Sequence, residues 1–554
     1  AMSAKQEVYD VCVIGTGAGG GVMIDQLTAA GLNVVALERG PQLSPGDFDE
    51  DELKIIIRRK LFAPDKIDAY RPDEHSPTEY GNIAEIVHGV GGSITHWGAW
   101  AWRFRPDEFR ELSVEGSVPG ASLADWPIGY EDMEPYYQQA EADFGVAGQA
   151  GSNPFEAKRS QPYPNPPHPW RPSSRRFASG ARKLGYQPFP LPVAINSRVY
   201  GNRPGCINGG ACRAHGCPIH AKASTLSVSL PRALMTGKLD LRANAAVYEL
   251  PVDKNGRLTG ARYIDGSGEQ QEVRAKHVIV AAGSLGTAQL LLLSRSGQFP
   301  DGLANGSGEV GRNLTFHHFP VVAATFDEDL RTYTGIESLV AIDDLHPSNP
   351  KRGFIRGGVI AESNVASNQP VIFGAVLQSQ SPGARWGAGF KDKLREFPRT
   401  MLFSSICEEL PMSSSRVDLD PEKKDGFGLY VPRVTKKQHE NDVLMHRYFQ
   451  KKLKDLAEAA GAEKTLVLDV PGATIGDDMH QKGSTHNHGT CRMGNDPKSS
   501  VVNKWCQSHE VPNLWITDAS VFPTAGGYNP TLTILANAYR VADHFLAEMR
   551  RQSL

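Results

Sequence analysis

The sequence predicts an α/β fold: a parallel sheet covered by helices, assembled from separated pieces of chain, with a domain of mixed strands and helices inserted into it. Three observations predict it. Residues 8–40, VYDVCVIGTGAGGGVMIDQLTAAGLNVVALERG, read as strand, glycine turn, helix and strand. A second buried strand that runs through a glycine turn into a helix, HVIVAAGSLGTAQLLLLS, appears only at 277–294. The stretch 318–475 carries no such unit and offers strand candidates and one amphipathic helix instead.

In the first unit, Tyr9 to Ile14 form a short apolar run rich in Val and Ile, as suits a parallel strand buried on both faces. Gly15, Gly17 and Gly20 then give G-x-G-x-x-G, and Val22, Met23, Leu27 and Leu32 follow at helical spacing before a second strand, Val34 to Leu37. The three glycines have different physical roles. Gly15 makes the tight turn, Gly17 admits a pyrophosphate to the backbone, and Gly20 lets the helix pack closely on the sheet. The helix N-terminus offers its free N–H groups to the phosphates. Glu38 closes the second strand 18 residues after Gly20, where a carboxylate can accept hydrogen bonds from a ribose diol. Strand, turn, helix, strand and acid in this order predict dinucleotide binding.

At 554 residues the chain has room for two to four domains and a large cofactor. With 40% hydrophobic and 22% charged residues and a net charge of −3, nothing points to nucleic acid or an anionic membrane surface. There is no apolar run of 18 residues, and AMSAKQEVYD has neither the basic start nor the apolar stretch of a secretory signal. The expectation is a cytoplasmic protein, or a periplasmic one exported with a partner that carries the signal. Seven cysteines, an odd number, argue against a disulfide framework and for a reducing compartment or a metal role; Cys12, in the first strand, reads as a core residue.

Along the chain, DEDELKIIIRRKLF at 49–62 reads as one amphipathic helix. In VHGVGGSITHWGAWAWRF (87–104), Gly89, Gly91, Gly92 and Gly98 interleave with Trp97, Trp100 and Trp102, as in a loop built to lie against something flat. A turn and helix follow at Asp125 to Val146, then the proline-rich stretch 151–172, an extended connection between domains. LDLRANAAVYEL (239–250), which contains Val247, RLTGARYIDG and EQQEVRAKHVIVAAG read as strands. Strand candidates beyond 318 are FPVVAATF, GGVIAE, PVIFGAVLQ and TMLFSSICEEL, and HENDVLMHRYFQKKLKDLAEAAGA is the amphipathic helix. Residues 1–150, 205–317 and 476–554 are thus assigned to the cofactor domain, and 151–204 with 318–475 to the substrate domain.

Near the C-terminus, STHNHGTCRMG (484–494) combines two histidines with glycines, and NLWITDASVFPTAGGYNPTLTILANAYR (513–540) gives a strand ending at Asp518, a loop, and a helix after Asn529-Pro530. These segments resemble the glucose–methanol–choline (GMC) oxidoreductases: G-x-G-x-x-G with Glu38, GVGGSITHW at 89–97, VIVAAGSLGTAQLLLLS at 278–294, H-x-x-G-T at 486–490, D-A-S-V-F-P at 518–523 and N-P-T-L-T at 529–533. Within that family, AWRFRPDEF, ADWPIGYEDMEPYYQQAEADFGVAG, SQPYPNPP and a three-cysteine cluster are similar to the catalytic subunits of bacterial FAD-dependent gluconate, glucose and fructose dehydrogenases.

The resemblance implies a Rossmann-like FAD-binding domain with an inserted substrate domain. It places the cofactor among Gly15, Gly17, Gly20, Glu38, Gly91, Gly92, His96, Trp97, Val247, Ala282, Gly283, Asp518, Ala519 and Pro530. His486 matches the family's base and Asn529 the partner of the substrate hydroxyl; histidine suits the role because it titrates near neutrality. His488 is the alternative base. His96, in Thr-His-Trp, stands where some relatives, pyranose oxidases among them, bond the FAD 8α-methyl group; the other reading is a histidine beside a non-covalent flavin.

Cys206, Cys212 and Cys217, in CINGGACRAHGCPIHAKAS, are spaced as thiolate ligands, and the resemblance implies a [3Fe–4S] centre. Two further readings stay open: zinc with His215 or His220, or free packed thiols. No C-x-x-C-H sequence is present, so a haem would belong to another chain. The function implied is FAD-dependent oxidation of a hydroxyl of a sugar, glycoside or sugar acid. Electrons would pass through the cluster to a small subunit, cytochrome or quinone. The alternative is a pyranose-oxidase-like enzyme that reduces oxygen to hydrogen peroxide.

Overall fold

The computed structural model describes residues 8–61, 66–363, 369–380, 386–470, 474–476 and 478–552. Four strands of its largest sheet, Leu239–Arg242, Val34–Leu37, Val8–Ile14 and Gln270–Val280, lie side by side and parallel in that order. The strand at 270–280 is long enough to serve two further partners. Its last residues pair in parallel with Leu514–Ile516, and its first pair antiparallel with Gly260–Ile264, which in turn holds Ala246–Glu249 at the edge. Val11, Cys12, Val13, Val35, Val278, Ile279 and Val280 are wholly buried, which is why these strands read as unbroken apolar runs. Helices Ala18–Ala29, Thr531–Gln552 and Tyr130–Phe144 pack against one another in succession.

The inserted stretch builds a second, wholly antiparallel sheet in the order Lys464–Leu468, Val321–Thr325, Thr400–Cys407, Gly358–Ser363, Val340–Ile342 and Phe189–Pro190. Helix Glu440–Ala459 turns Met445, Phe449, Leu453 and Leu456 toward it, the spacing of one helical face, and Phe177 of helix Pro172–Lys183 stacks on Phe403. A four-stranded sheet, Arg416–Lys424, Tyr430–Thr435, Asp68–Arg71 and Glu79–Gly81, joins the early chain to the insertion. A ladder of two residues on each side, Thr315–Phe316 with Asn487–His488, aligns the segments that carry the site histidines.

Two local expectations are corrected. PVIFGAVLQ lies in a helix, Pro370–Gln380, not in a strand. A short apolar run has no periodicity to decide between the two, and here proline opens the helix while Glu52 accepts hydrogen bonds from the N–H groups of Val371 and Ile372 (2.8 and 2.7 Å). DEDELKIIIRRKLF forms only one widened helical turn, Leu53–Ile57, because three successive β-branched residues crowd a helix; Phe62 lies outside the described residues. Among the described residues no helix is long and apolar enough to cross a membrane.

Candidate active site

Where the first strand ends, the glycine turn and the helix behind it are in contact at the backbone: a methyl group on Gly20 would stand 2.0 Å from the Gly15 carbonyl oxygen. Buried Glu38, at the end of the next strand, accepts hydrogen bonds from the Thr16 amide and hydroxyl (3.1 and 2.7 Å) and the Gly40 amide (3.2 Å). Burial raises its carboxyl pKa, and these donors oppose the rise. The Thr16 hydroxyl in turn accepts from the Gly91 N–H (2.9 Å), which brings the second glycine loop onto the first, with the backbones of Gly17 and Gly92 facing each other. Gly15, Gly17, Gly20, Glu38, Gly91 and Gly92 are therefore one cluster of bare backbone at a helix N-terminus beside a carboxylate. This donor set fits a pyrophosphate and a ribose.

His96 and Trp97 follow the helical turn Gly92–Thr95 of this second loop. The His96 carbonyl accepts from the Ala214 N–H (2.9 Å), and the Trp97 indole N–H donates to the Ala223 carbonyl (2.8 Å). Burial, with help from Lys222, pushes the His96 imidazole down to about 3, so it is neutral. Asp518 organises the later pieces: its carboxylate accepts from the Gly283 N–H (2.9 Å), the Thr287 hydroxyl and the Ser520 N–H (2.9 Å), which fixes the Ala282–Gly283 turn. The Ala519 carbonyl accepts from the Gly489 N–H (3.1 Å) and so links Asp518 to the H-x-x-G-T segment. The Pro530 carbonyl takes the Ile534 N–H (2.9 Å) at the start of the last helix. Val247 lies on the edge strand, half-buried and opposite Tyr263, two residues after Ala245, whose N–H donates to the Glu38 carbonyl (2.8 Å).

His486 and Asn529, 43 residues apart, meet: Asn529 Nδ2 is 3.4 Å from His486 Nε2. The network assigns both orientations. The Trp102 indole can only donate, and it donates to Asn529 Oδ1 (3.0 Å), so the amide nitrogen is the atom turned to His486. His317 Nε2 lies 2.7 Å from the Gly526 carbonyl and must donate to it. In a neutral ring His317 Nδ1 is then a bare acceptor, and it faces His486 Nδ1 at 3.1 Å. His486 therefore carries its proton on Nδ1 and its lone pair on Nε2, which accepts from the Asn529 amide (3.4 Å). Burial first, and the neighbouring His317 next, hold His486 well below the ordinary imidazole value; burial holds His317 down to about 4. His488 bonds Thr315 Oγ1 (3.5 Å) and stacks on Phe522; it is His486 that stands beside Asn529.

Among the described residues no three His, Cys, Asp or Glu side chains are grouped to hold a metal ion, and Cys206, Cys212 and Cys217 are free. Cys206 and Cys212 pack against the main core, and burial raises both thiols, Cys206 to about 11; Cys212 and Cys217 add to the rise at Cys206, so the three thiols lie within electrostatic reach of one another. What holds this loop is Lys222, whose buried ammonium donates to the carbonyls of Trp97, Cys212 and His215 (3.0, 2.7 and 2.8 Å). No grouped metal ligands are shown here among the described residues, and no electron step is routed through these residues.

His317 and Thr16 escaped the sequence reading. His317 sits in Phe-His-His-Phe at the mouth of a candidate strand, and nothing local marks it; only the ladder 315–316 with 487–488 sets it beside His486. Thr16 lies inside G-x-G, where the glycines draw all the attention.

Models of the GMC oxidoreductase family match residues 123–319 and 411–538. The 2-methyl-1,2-propanediol dehydrogenase of Mycolicibacterium austroafricanum is 32% identical over 98% of this chain and 96% of its own. The gluconate 2-dehydrogenase flavoprotein of Pantoea cypripedii is 31% identical over 96% and 92%, and the 6'''-hydroxyparomomycin C oxidase of Streptomyces lividus 32% over 98% and 92%. With the glycine cluster, the acid and the buried histidine in place, the chain belongs to the GMC oxidoreductase family and is an FAD-dependent enzyme that oxidises a CH–OH group.

Proposed function

We propose that this enzyme oxidises a secondary or anomeric hydroxyl of a sugar, glycoside or sugar acid, with His486 as the base and Asn529 as the residue that positions the hydroxyl. One observation carries the assignment: Nε2 of His486 is the acceptor nitrogen of the ring and faces the Asn529 amide. Bound FAD supplies the hydride acceptor, N5 of the isoalloxazine. The chain does the rest. Asn529 Nδ2–H can donate to the substrate oxygen while His486 Nε2 accepts its proton, so the carbinol C–H is left as a hydride donor and becomes C=O. The new imidazolium keeps its Nδ1–H on His317 Nδ1, and His317 is anchored at Gly526, so the ring does not turn as it charges. Burial keeps His486 uncharged at neutral pH, ready to act, and disfavours the charged form so that the proton moves on.

Of the relatives' names, gluconate 2-dehydrogenase supports the substrate class directly, a sugar acid oxidised at a secondary hydroxyl, whereas 2-methyl-1,2-propanediol supports only an alcohol on a polar, hydroxyl-bearing molecule. We place the exit of electrons at the flavin itself, with dioxygen reduced to hydrogen peroxide, on the support of a relative named as an oxidase, that of 6'''-hydroxyparomomycin C. A substrate screen with an artificial acceptor, run beside an oxygen electrode, tests both points. Sugar-dependent oxygen uptake with one peroxide per oxygen is expected. Turnover with the dye alone would contradict the oxidase reading, and no turnover with any sugar, glycoside or sugar acid would contradict the substrate class.

For His96 we propose the bond to the FAD 8α-methyl group, because a neutral imidazole is the nucleophilic form and the residue follows the loop that meets the cofactor turn. Acid precipitation should leave a yellow pellet, and the intact mass should exceed that of the polypeptide by one FAD. Flavin wholly in the supernatant refutes the bond and leaves the glycine cluster unaffected.

A further inference from the structure

We propose that His346, held as a doubly bonded imidazolium between Glu108 and Asp343, is a positioning residue that sets the place of Asn529 and hence the rate of hydride transfer. The proposal rests on the base assignment above, and its test separates the two.

His346 is wholly buried. Its Nδ1 is 2.9 Å from Asp343 Oδ1 and its Nε2 is 3.0 Å from Glu108 Oε1. A carboxylate oxygen can only accept, and a neutral imidazole has one N–H, so both contacts are satisfied together only by the cation. The same two carboxylates hold the residues directly before Asn529: Glu108 Oε1 accepts from the Gly527 N–H (2.7 Å), and Asp343 Oδ2 accepts from the Tyr528 hydroxyl and from Asn153 Nδ2 (3.1 Å). The Tyr528 ring stands edge-on to His346, with centroids 4.3 Å apart, and stacks on Trp102 at 5.1 Å. Trp102 in turn donates to Asn529 Oδ1. Two routes, one through the backbone and one through the rings, thus run from His346 to the amide that faces His486.

The groups around His346 act in both directions. Burial and the Arg105 guanidinium disfavour its charge; the charges of Asp343 and Glu108 and the hydrogen bond to Asp343 favour it and prevail, so its pKa is raised. Asp107 and Glu408 feel its charge as a stabilising one, and His317 feels it as a repulsion. The Tyr528 hydroxyl, raised well above its usual value, stays protonated. A raised imidazolium is present through neutrality and is lost as pH rises through its value, when one of the two carboxylate contacts becomes a repulsion of lone pairs.

The test is anaerobic stopped-flow reduction of the holoenzyme by its best substrate, between about pH 6 and pH 10, for wild type, His346→Gln, His346→Leu and Tyr528→Phe. In wild type the limiting rate should fall on the alkaline side with one proton. Both His346 variants should keep FAD, lose about tenfold or more in limiting rate through misplacement of Asn529, and lose the alkaline fall. Tyr528→Phe, which keeps the ring stack and drops the Asp343 bond, should show a smaller loss. Profiles of wild type and His346→Leu that superimpose after scaling, or His346 variants that keep FAD and reduce it at the wild-type rate, overturn the proposal; an unchanged rate in Tyr528→Phe does so if the His346 variants do not fold. Failure of the base assignment would show instead in normal reduction by His486→Ala, which leaves this alkaline comparison to stand or fall alone.

Discussion

His486→Ala should yield a folded, yellow enzyme in which the best substrate reduces the flavin about 10²-fold more slowly or worse, the usual scale of general base catalysis. FAD should stay bound because the glycine cluster and Glu38 belong to the other end of the cofactor site. Asn529→Ala should also slow reduction, through loss of the amide donor held by Trp102. His488→Ala should cost less than His486→Ala, since its ring bonds Thr315, stacks on Phe522 and packs on His317 (centroids 4.7 Å) without touching Asn529's amide. Anaerobic mixing checks all three. Near-normal reduction by His486→Ala, with a slow His488→Ala, would transfer the role to His488.

Gly20→Ala should give a protein that does not retain FAD and has no activity. The added methyl group would meet the Gly15 carbonyl oxygen at 2.0 Å and its carbon at 3.0 Å, and both are backbone, so no side chain can swing aside. The helix must then lift from the turn, and its N–H groups leave the position at which they face the pyrophosphate. Gly297→Ala, at an exposed site with nothing within 4 Å of the new carbon, should keep both FAD and activity. The ratio of flavin to protein absorbance after gel filtration reads the difference. A Gly20→Ala enzyme with a full complement of flavin would mean that close packing at this turn is not what holds the cofactor.

The parts of the molecule built from short-range patterns could be read in the sequence. The strand at 8–14 and helix at 18–29 are fixed by an apolar run and by glycines that neighbouring backbone requires, and the face of the helix at 440–459 by its period. Pro370–Gln380 failed the same test because a run of apolar residues has no period to read. The site divides in the same manner. His486 and Asn529 stand in recognisable segments, whereas His317, His346 and Glu108 become partners only through tertiary contacts across the insertion and the aromatic loop. The three cysteines were legible as a cluster in sequence, whereas the Lys222 ammonium that ties their loop through the carbonyls of Trp97, Cys212 and His215 was not.

A neutral His486, with its proton on Nδ1 and its lone pair on Nε2, is the group on which the whole mechanism depends. Its protonation state is read on the acid side of the limiting rate of anaerobic flavin reduction. A base with a lowered pKa is neutral above that value, so the rate stays on its plateau as pH falls past neutrality and declines only where the pair protonates. Burial lowers both His486 and His317, the latter to about 4. The plateau should therefore continue below the ordinary imidazole value of about 6.5, with the decline well beneath it. A one-proton fall centred near 6.5 in wild type, or an acid profile that His486→Ala leaves unchanged in rate and shape, would contradict a neutral His486 as the base.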